Sequence, residues 1–209
     1  MSYDLFALPQ HSAADADAAL TEMRRADASA PATAPARNVT ALIDLVDSNR
    51  SRLGVVHESP EPHGIGAYFT ASWSDVEASR AALIPAAATL GFDVYDPQEH
   101  LLIHTADAKC VEVTHGSLGV FPLLSRTLST ALVTRLAEPD PFLIVSRDTD
   151  VYVQTLIRDG HCTIEYRDGS ADRHFAAVAP PDEVSGLLWA WTQSGPSALR
   201  HLEWSKVEF

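Results

Sequence analysis

The chain is poor in the residue types that most often announce chemistry. Its only two cysteines, Cys110 and Cys162, lie far apart and form no CxxC or Cys/His cluster. Neither a disulfide framework nor a thiolate metal site is expected, and both read as free thiols. No HxxxH or HExxH spacing lies near Asp172 and His174, and His100, His104 and His115 are dispersed around strands, so no metal and no cofactor is expected. Positive charge is also scarce, with 15 Lys and Arg against 28 Asp and Glu and a net charge of −13. Split at residue 100, the first part carries 14 acids and 6 bases and the second 14 and 9, so the acidity is spread. Such a surface repels phosphate backbones and anionic membranes, which argues against nucleic acid as a direct ligand and favours a basic protein partner. No apolar run reaches the roughly 18 residues of a membrane helix. The start, MSYDLFALPQ, has no basic region followed by an apolar run, and the expected location is the cytoplasm.

What remains is the composition of a folded chain, 46% hydrophobic and 21% charged over 209 residues. The segment YDLFAL at 3–8 reads as a strand closed by Pro9. Residues 12–30, rich in alanine, read as a helix stopped before Pro31. PATAPARN at 31–38 is a joint, and VTALIDLVDSNR a second helix. HESPEPHGIG at 57–66 reads as a loop before the strand GAYFTASW. Ser74 with Glu77 makes a capping box for a helix that Pro85 should kink or split and Gly91 should close. FDVYDPQ at 92–98 adds a strand. LLIH at 101–104 and VEVTH at 111–115 read as strands, and residues 125–140 as a helix ended by Pro139 and Pro141.

The last seventy residues alternate with period two. PFLIVSR, VYVQTLI, HCTIEYR and ADRHFAAV form an antiparallel meander, and the Asp-Gly pairs at 159–160 and 168–169 mark its turns. A helix from DEVSGLLWAWTQSG carries Val184, Leu187, Leu188 and Trp191 toward the sheet, and LEWSKVEF adds a last strand. The expected class is α+β: an antiparallel meander sheet packed against helices, with a smaller α/β lobe at the N-terminus. The expected divisions are an N-terminal lobe at 1–107, a connecting segment at 108–140 that joins either lobe, and a C-terminal sheet and helix at 141–209.

Within the meander, TIEYRDGSADRHF concentrates ionisable groups. Period two sends Cys162, Ile164 and Tyr166 to the core and His161, Thr163, Glu165 and Arg167 to the other face. Asp168 falls in the turn, where it accepts a backbone N–H. Asp172 and His174 fall together on one solvent face. Trp189 lies about 200° around its helix from Trp191 at 100° per residue, which makes it an interface candidate. Glu165, Asp168, Asp172, His174 and Trp189 are therefore the expected partner-binding residues, with no catalytic residue among them. HGSLG around Ser117 lacks the first glycine of a nucleophile elbow, and GIG at 64–66 is too short for a phosphate cradle. His57 and His63 flank the proline-rich loop without a nucleophile beside them.

The pattern FLIVSRDTDVYVQTLIRDGHCTIEYRDGSADRHF, with the following DEVSGLLWAW helix and LEW, resembles the small bacterial immunity proteins of polymorphic toxin systems and their Imm1-like relatives. MSYDLFALP and GFDVYDPQ resemble N-terminal modules of bacterial proteins in the same setting. The resemblance implies a non-enzymatic inhibitor that binds one cognate toxin domain and blocks its active site or substrate surface. The expected toxin is a basic nuclease or nucleic-acid deaminase. Two other classes stay open: a small-molecule enzyme whose inter-lobe cleft gathers His63, Asp96, His100 and Glu165, and a regulatory or structural interaction scaffold.

Overall fold

A computed structural model describes residues 2–28, 35–53, 60–158 and 160–208. Among them are five α-helices and two antiparallel sheets, an α+β protein. The chain forms two compact units, Met1–Ala108 and Lys109–Phe209. Residues 109–140 contribute strands and a helix to the second.

The first unit runs β1 (Ser2–Pro9), α1 (Ala16–Asp27), α2 (Arg37–Leu53), β2 (Glu61–His63), β3 (Gly66–Ser72), α3 (Val76–Leu90), β4 (Phe92–Asp96) and β5 (Leu101–Ile103). Its sheet has the order β2-β3-β1-β4-β5. β1 is central and apolar on both sides, so both faces of the sheet carry helices. On one face Phe6, Leu8, Tyr95 and Leu102 pack with Ala16, Ala18, Leu20 and Met23 of α1. On the other, Arg50 of α2 lies over the Phe69 ring, and Asn49 Nδ2 donates to the Ala82 carbonyl, tying α2 to α3. Burial lowers the Arg50 guanidinium to about 10. Beneath α3 the buried Arg80 Nη2 donates to Asp96 Oδ2 at 2.9 Å and to the Tyr3 hydroxyl at 2.7 Å. The Tyr3 hydroxyl in turn donates to the same carboxylate. Burial, then the Asp96 hydrogen bond, raises the Tyr3 phenol.

Several sequence expectations change here. Part of the proline-rich loop is strand β2, while His57 and residues 31–34 of the joint lie outside the described residues. The capping box does not form: the Ser74 hydroxyl pairs with that of Ser72 at a short 3-10 turn over Trp73–Asp75, and α3 follows from Val76 without a side-chain cap. Pro85 sits inside α3 without splitting it. Its roughly 3 kcal/mol penalty is offset where the flanking Leu83, Ile84 and Ala87 are fully buried, at about 1.5–3 kcal/mol per large side chain.

The second unit comprises β6 (Glu112–His115), β7 (Gly119–Phe121), α4 (Arg126–Val133), β8 (Phe142–Asp148), β9 (Val151–Arg158), β10 (His161–Asp168), β11 (His174–Ala179), α5 (Val184–Ser194) and β12 (Ser205–Lys206). Its seven strands follow the order β12-β11-β10-β9-β8-β6-β7, a meander extended at both ends. The helix expected over 125–140 ends at Val133, where the backbone tightens: the N–H groups of Arg135 and Leu136 donate to the carbonyls three residues back, Leu132 and Val133, and side chains add further donors to the last turn. Thr134 Oγ1, Arg135 Nη1 and His115 Nε2 donate to the carbonyls of Thr130, Ala131 and Leu132. The final strand is only two residues long.

One face of this sheet is covered by α4 and α5. His115 reaches the Leu132 carbonyl, and Arg147 Nη2 donates to the carbonyls of Trp191 and Thr192, both at 2.7 Å. Val113, Leu143, Val145, Val153, Cys162 and Ile164 are fully buried on that side. Cys110 is exposed, Cys162 is buried, and both are free thiols. No helix among the described residues is long and apolar enough to cross a membrane.

Candidate functional site

Among the described residues the other face of the seven-stranded sheet carries no helix of its own unit, and strand register sets its layout. Side chains paired across antiparallel strands share a face, so three rows cross β9, β10 and β11. Leu156, Thr163 and Val178 form the first, Gln154, Glu165 and Ala176 the second, and Tyr152, Arg167 and His174 the third. The face thus grades from apolar to charged. Its apolar end is open: Val178 is 74% and Leu156 37% exposed.

Glu165 stands at the centre. Gln154 Nε2 from β9 and His174 Nε2 from β11 both meet its Oε2, at 2.7 and 3.1 Å. An ionised carboxylate only accepts, so the imidazole nitrogen here carries the proton. The His174 ring also stands edge-on to Tyr152, with centroids 6.0 Å apart. The Glu165 side chain keeps 28% exposure, and among the described residues nothing donates to its Oε1. A carboxylate fixed through one oxygen and open at the other is a preorganised acceptor for a basic group.

Of the five expected partner-binding residues, Glu165 lies on this face as the alternation predicts. Asp168 closes β10, but its side chain binds the Arg173 guanidinium rather than a backbone N–H. Asp172 does not share a strand face with His174. A 3-10 turn over Ala171–Arg173 intervenes, because β11 begins only where His174 pairs with Arg167. Asp172 is exposed in that turn, 3.5 Å from Lys206 Nζ, whereas His174 is 5% exposed and faces Glu165 instead of solvent. Trp189 is buried at 7% exposure. Its helix is flanked by α4 as well as by the sheet, with Ser129 Oγ donating to the Ser185 carbonyl at 2.8 Å, so only a narrow strip of the helix around Gly186 and Gln193 is exposed and Trp189 falls outside it. Trp189 leaves the set of surface candidates.

Gln154 and Val178 were not singled out from the sequence. The alternation of VYVQTLI places Tyr152, Gln154 and Leu156 together, but only the pairing Gln154↔Glu165 reveals the contact.

The residues proposed for an enzyme do not converge within the first unit. His63 pairs with Asp27 at 2.9 Å and His100 with Asp17 at 3.3 Å, both on the α1 face of the sheet. Asp96 is buried under α3 on the opposite face. Ser117 and the turn after β6 serve His115, whose Nδ1 accepts from the N–H groups of Ser117 and Leu118 at 3.2 Å. Among the described residues no group of three or more His, Cys, Asp or Glu side chains has metal-site geometry. Set against protein-family models, curated proteins and solved structures, the chain matches none.

Proposed function

We propose that this chain is an immunity protein that binds and neutralises one cognate toxin domain, one to one, through the outer face of its seven-stranded sheet. The observation that carries this reading is Glu165, held by Gln154 and His174 on a sheet face that no described helix of its own unit covers, with one oxygen open and exposed apolar side chains a row away. Such a face offers a partner both an apolar contact and a fixed anionic anchor. The net charge of −13 steers a basic domain toward it, and a nuclease or nucleic-acid deaminase has such a surface where it holds its substrate. The meander that carries most of the sequence resemblance supplies the three strands of this face.

In this role the chain has no catalytic residue and acts by occupying the toxin's substrate surface in the cytoplasm. The test is co-expression with the toxin domain encoded beside it, scored for growth, with binding measured as salt is raised. Rescue of growth and a complex that weakens or forms more slowly at high salt are expected. Failure to form any complex with that domain refutes the proposal.

A further inference from the structure

We infer that the groove beside β11, where the sheet edge comes free at Val178, is the seat for a short, extended, basic segment of the partner protein. The inference rests on the proposed reading for the class of partner, and deepens it by naming the contact. Val207 N–H donates to the His174 carbonyl at 3.0 Å, so in β11 the backbone groups of His174, Ala176 and Val178 point to this edge. β12 pairs with Phe175 and Ala176, so Ser205 takes up the edge of Ala176, and among the described residues no strand stands opposite Val178. The chain leaves the edge here because Trp204 turns inward: its indole donates to the Leu199 carbonyl at 2.9 Å and its ring meets Tyr166 edge-on at 4.7 Å.

The departure opens a groove of about 330 Å³ lined by Thr163, Ala176, Ala177, Val178, Glu203 and Ser205. Ala176, Ala177 and Val178 form one wall, and the edge-facing backbone groups of Val178 are open to an extended segment that continues the line of β12. Val178 gives that segment an apolar contact. Charge decides what else it carries. Glu203 has no partner among the described residues, and Glu165, opposite Ala176 in register, keeps its Oε1 open. A second copy of this chain would bring like charges together, and a nucleic acid would bring phosphates against both carboxylates. A segment with Lys or Arg flanking an apolar residue satisfies the edge, the groove and both acids.

The test titrates the full chain, without toxin, with the peptide acetyl-Arg-Val-Lys-Val-Arg-amide, and with a control in which Gln replaces the three basic residues, followed by backbone amide NMR. Saturable shifts confined to Ala176–Val178 and Glu203–Ser205 are expected, with affinity at least about fivefold weaker for the control and for Glu203→Gln. Shifts elsewhere, no shifts at about 5 mM peptide, equal binding of the control, or an undiminished Glu203→Gln variant would each overturn the inference, as would shifts that follow protein concentration alone. Peptide binding at this edge without growth rescue keeps the seat and removes the toxin. Rescue that Glu203→Gln leaves intact, with no peptide binding, keeps the toxin and removes the seat.

Discussion

His174, the first residue of β11, and Glu165, in the middle of β10, meet at 3.1 Å through an oxygen that Gln154 also holds from β9. Three strands thus fix one carboxylate, and its two functions separate by mutation. Glu165→Gln removes charge while keeping an acceptor, so unfolding free energy should change by no more than about 1 kcal/mol while affinity for the toxin domain falls about tenfold or more. His174→Ala should instead cost about 1–3 kcal/mol, since it leaves Gln154 as the only holder of Glu165 and opens space at a buried position. Urea unfolding and binding titration on both variants distinguish the two.

Gly169 follows Asp168 at φ +88° with nothing within 4 Å of where a side chain would project. The requirement is therefore one of backbone conformation alone. Gly169→Val should destabilise by about 1–2 kcal/mol and Gly169→Asn by distinctly less, because asparagine tolerates the left-handed region. Equal thermal midpoints for the two would contradict this.

Burial pushes the His115 imidazole below its usual 6.5, the Leu132 carbonyl opposes that shift, and Arg135 adds to it. Its Nδ1 accepts two backbone N–H groups, which only the neutral ring does. The folded value lies below the unfolded one, so the unfolded chain takes up the proton first as pH falls. The stabilisation is complete above about pH 6.5 and is lost through the window beneath it. Urea unfolding between about pH 7.5 and 5 should show stability falling, and His115→Gln should flatten the slope.

Trp189 and Asp172 now predict opposite phenotypes. Trp189→Ala, at a buried site, should cost about 3–5 kcal/mol and weaken toxin binding only through loss of folded protein. Asp172→Lys, at a side chain 93% exposed, should leave unfolding within about 0.5 kcal/mol and lower affinity for a basic partner. An Asp172→Lys variant with unchanged affinity would place the contact away from this turn.

The parts of the second unit legible in the sequence are those governed by alternation. Cys162 and Ile164 on the inner face, Glu165 on the outer face and the glycine at the 168–169 turn follow from period two and turn chemistry. The misplaced residues depend on neighbours that periodicity does not see. Period two sends His174 to solvent with Asp172, but the 3-10 turn over Ala171–Arg173 shifts where the strand begins. Trp189 was assigned outward because a helical wheel treats the sheet as the only neighbour, while α4 flanks the same helix. The groove beside β11 is illegible in the sequence because it arises where Trp204 leaves the sheet edge to pack on Tyr166, a contact between distant parts of the chain.

β1 is buried on both faces, with Leu5, Phe6, Ala7 and Leu8 all fully covered, so apolar pattern alone distinguishes poorly between its true alignment and one slipped by a residue. The ion pair beneath α3 removes that ambiguity. A slipped β1 would carry the Tyr3 hydroxyl to the wrong face of the sheet and deprive a buried guanidinium and carboxylate of the group that bridges them. Three polar side chains from β1, α3 and β4 thereby act as a proofreading device for strand alignment in the first unit, and charge rather than shape rejects the error.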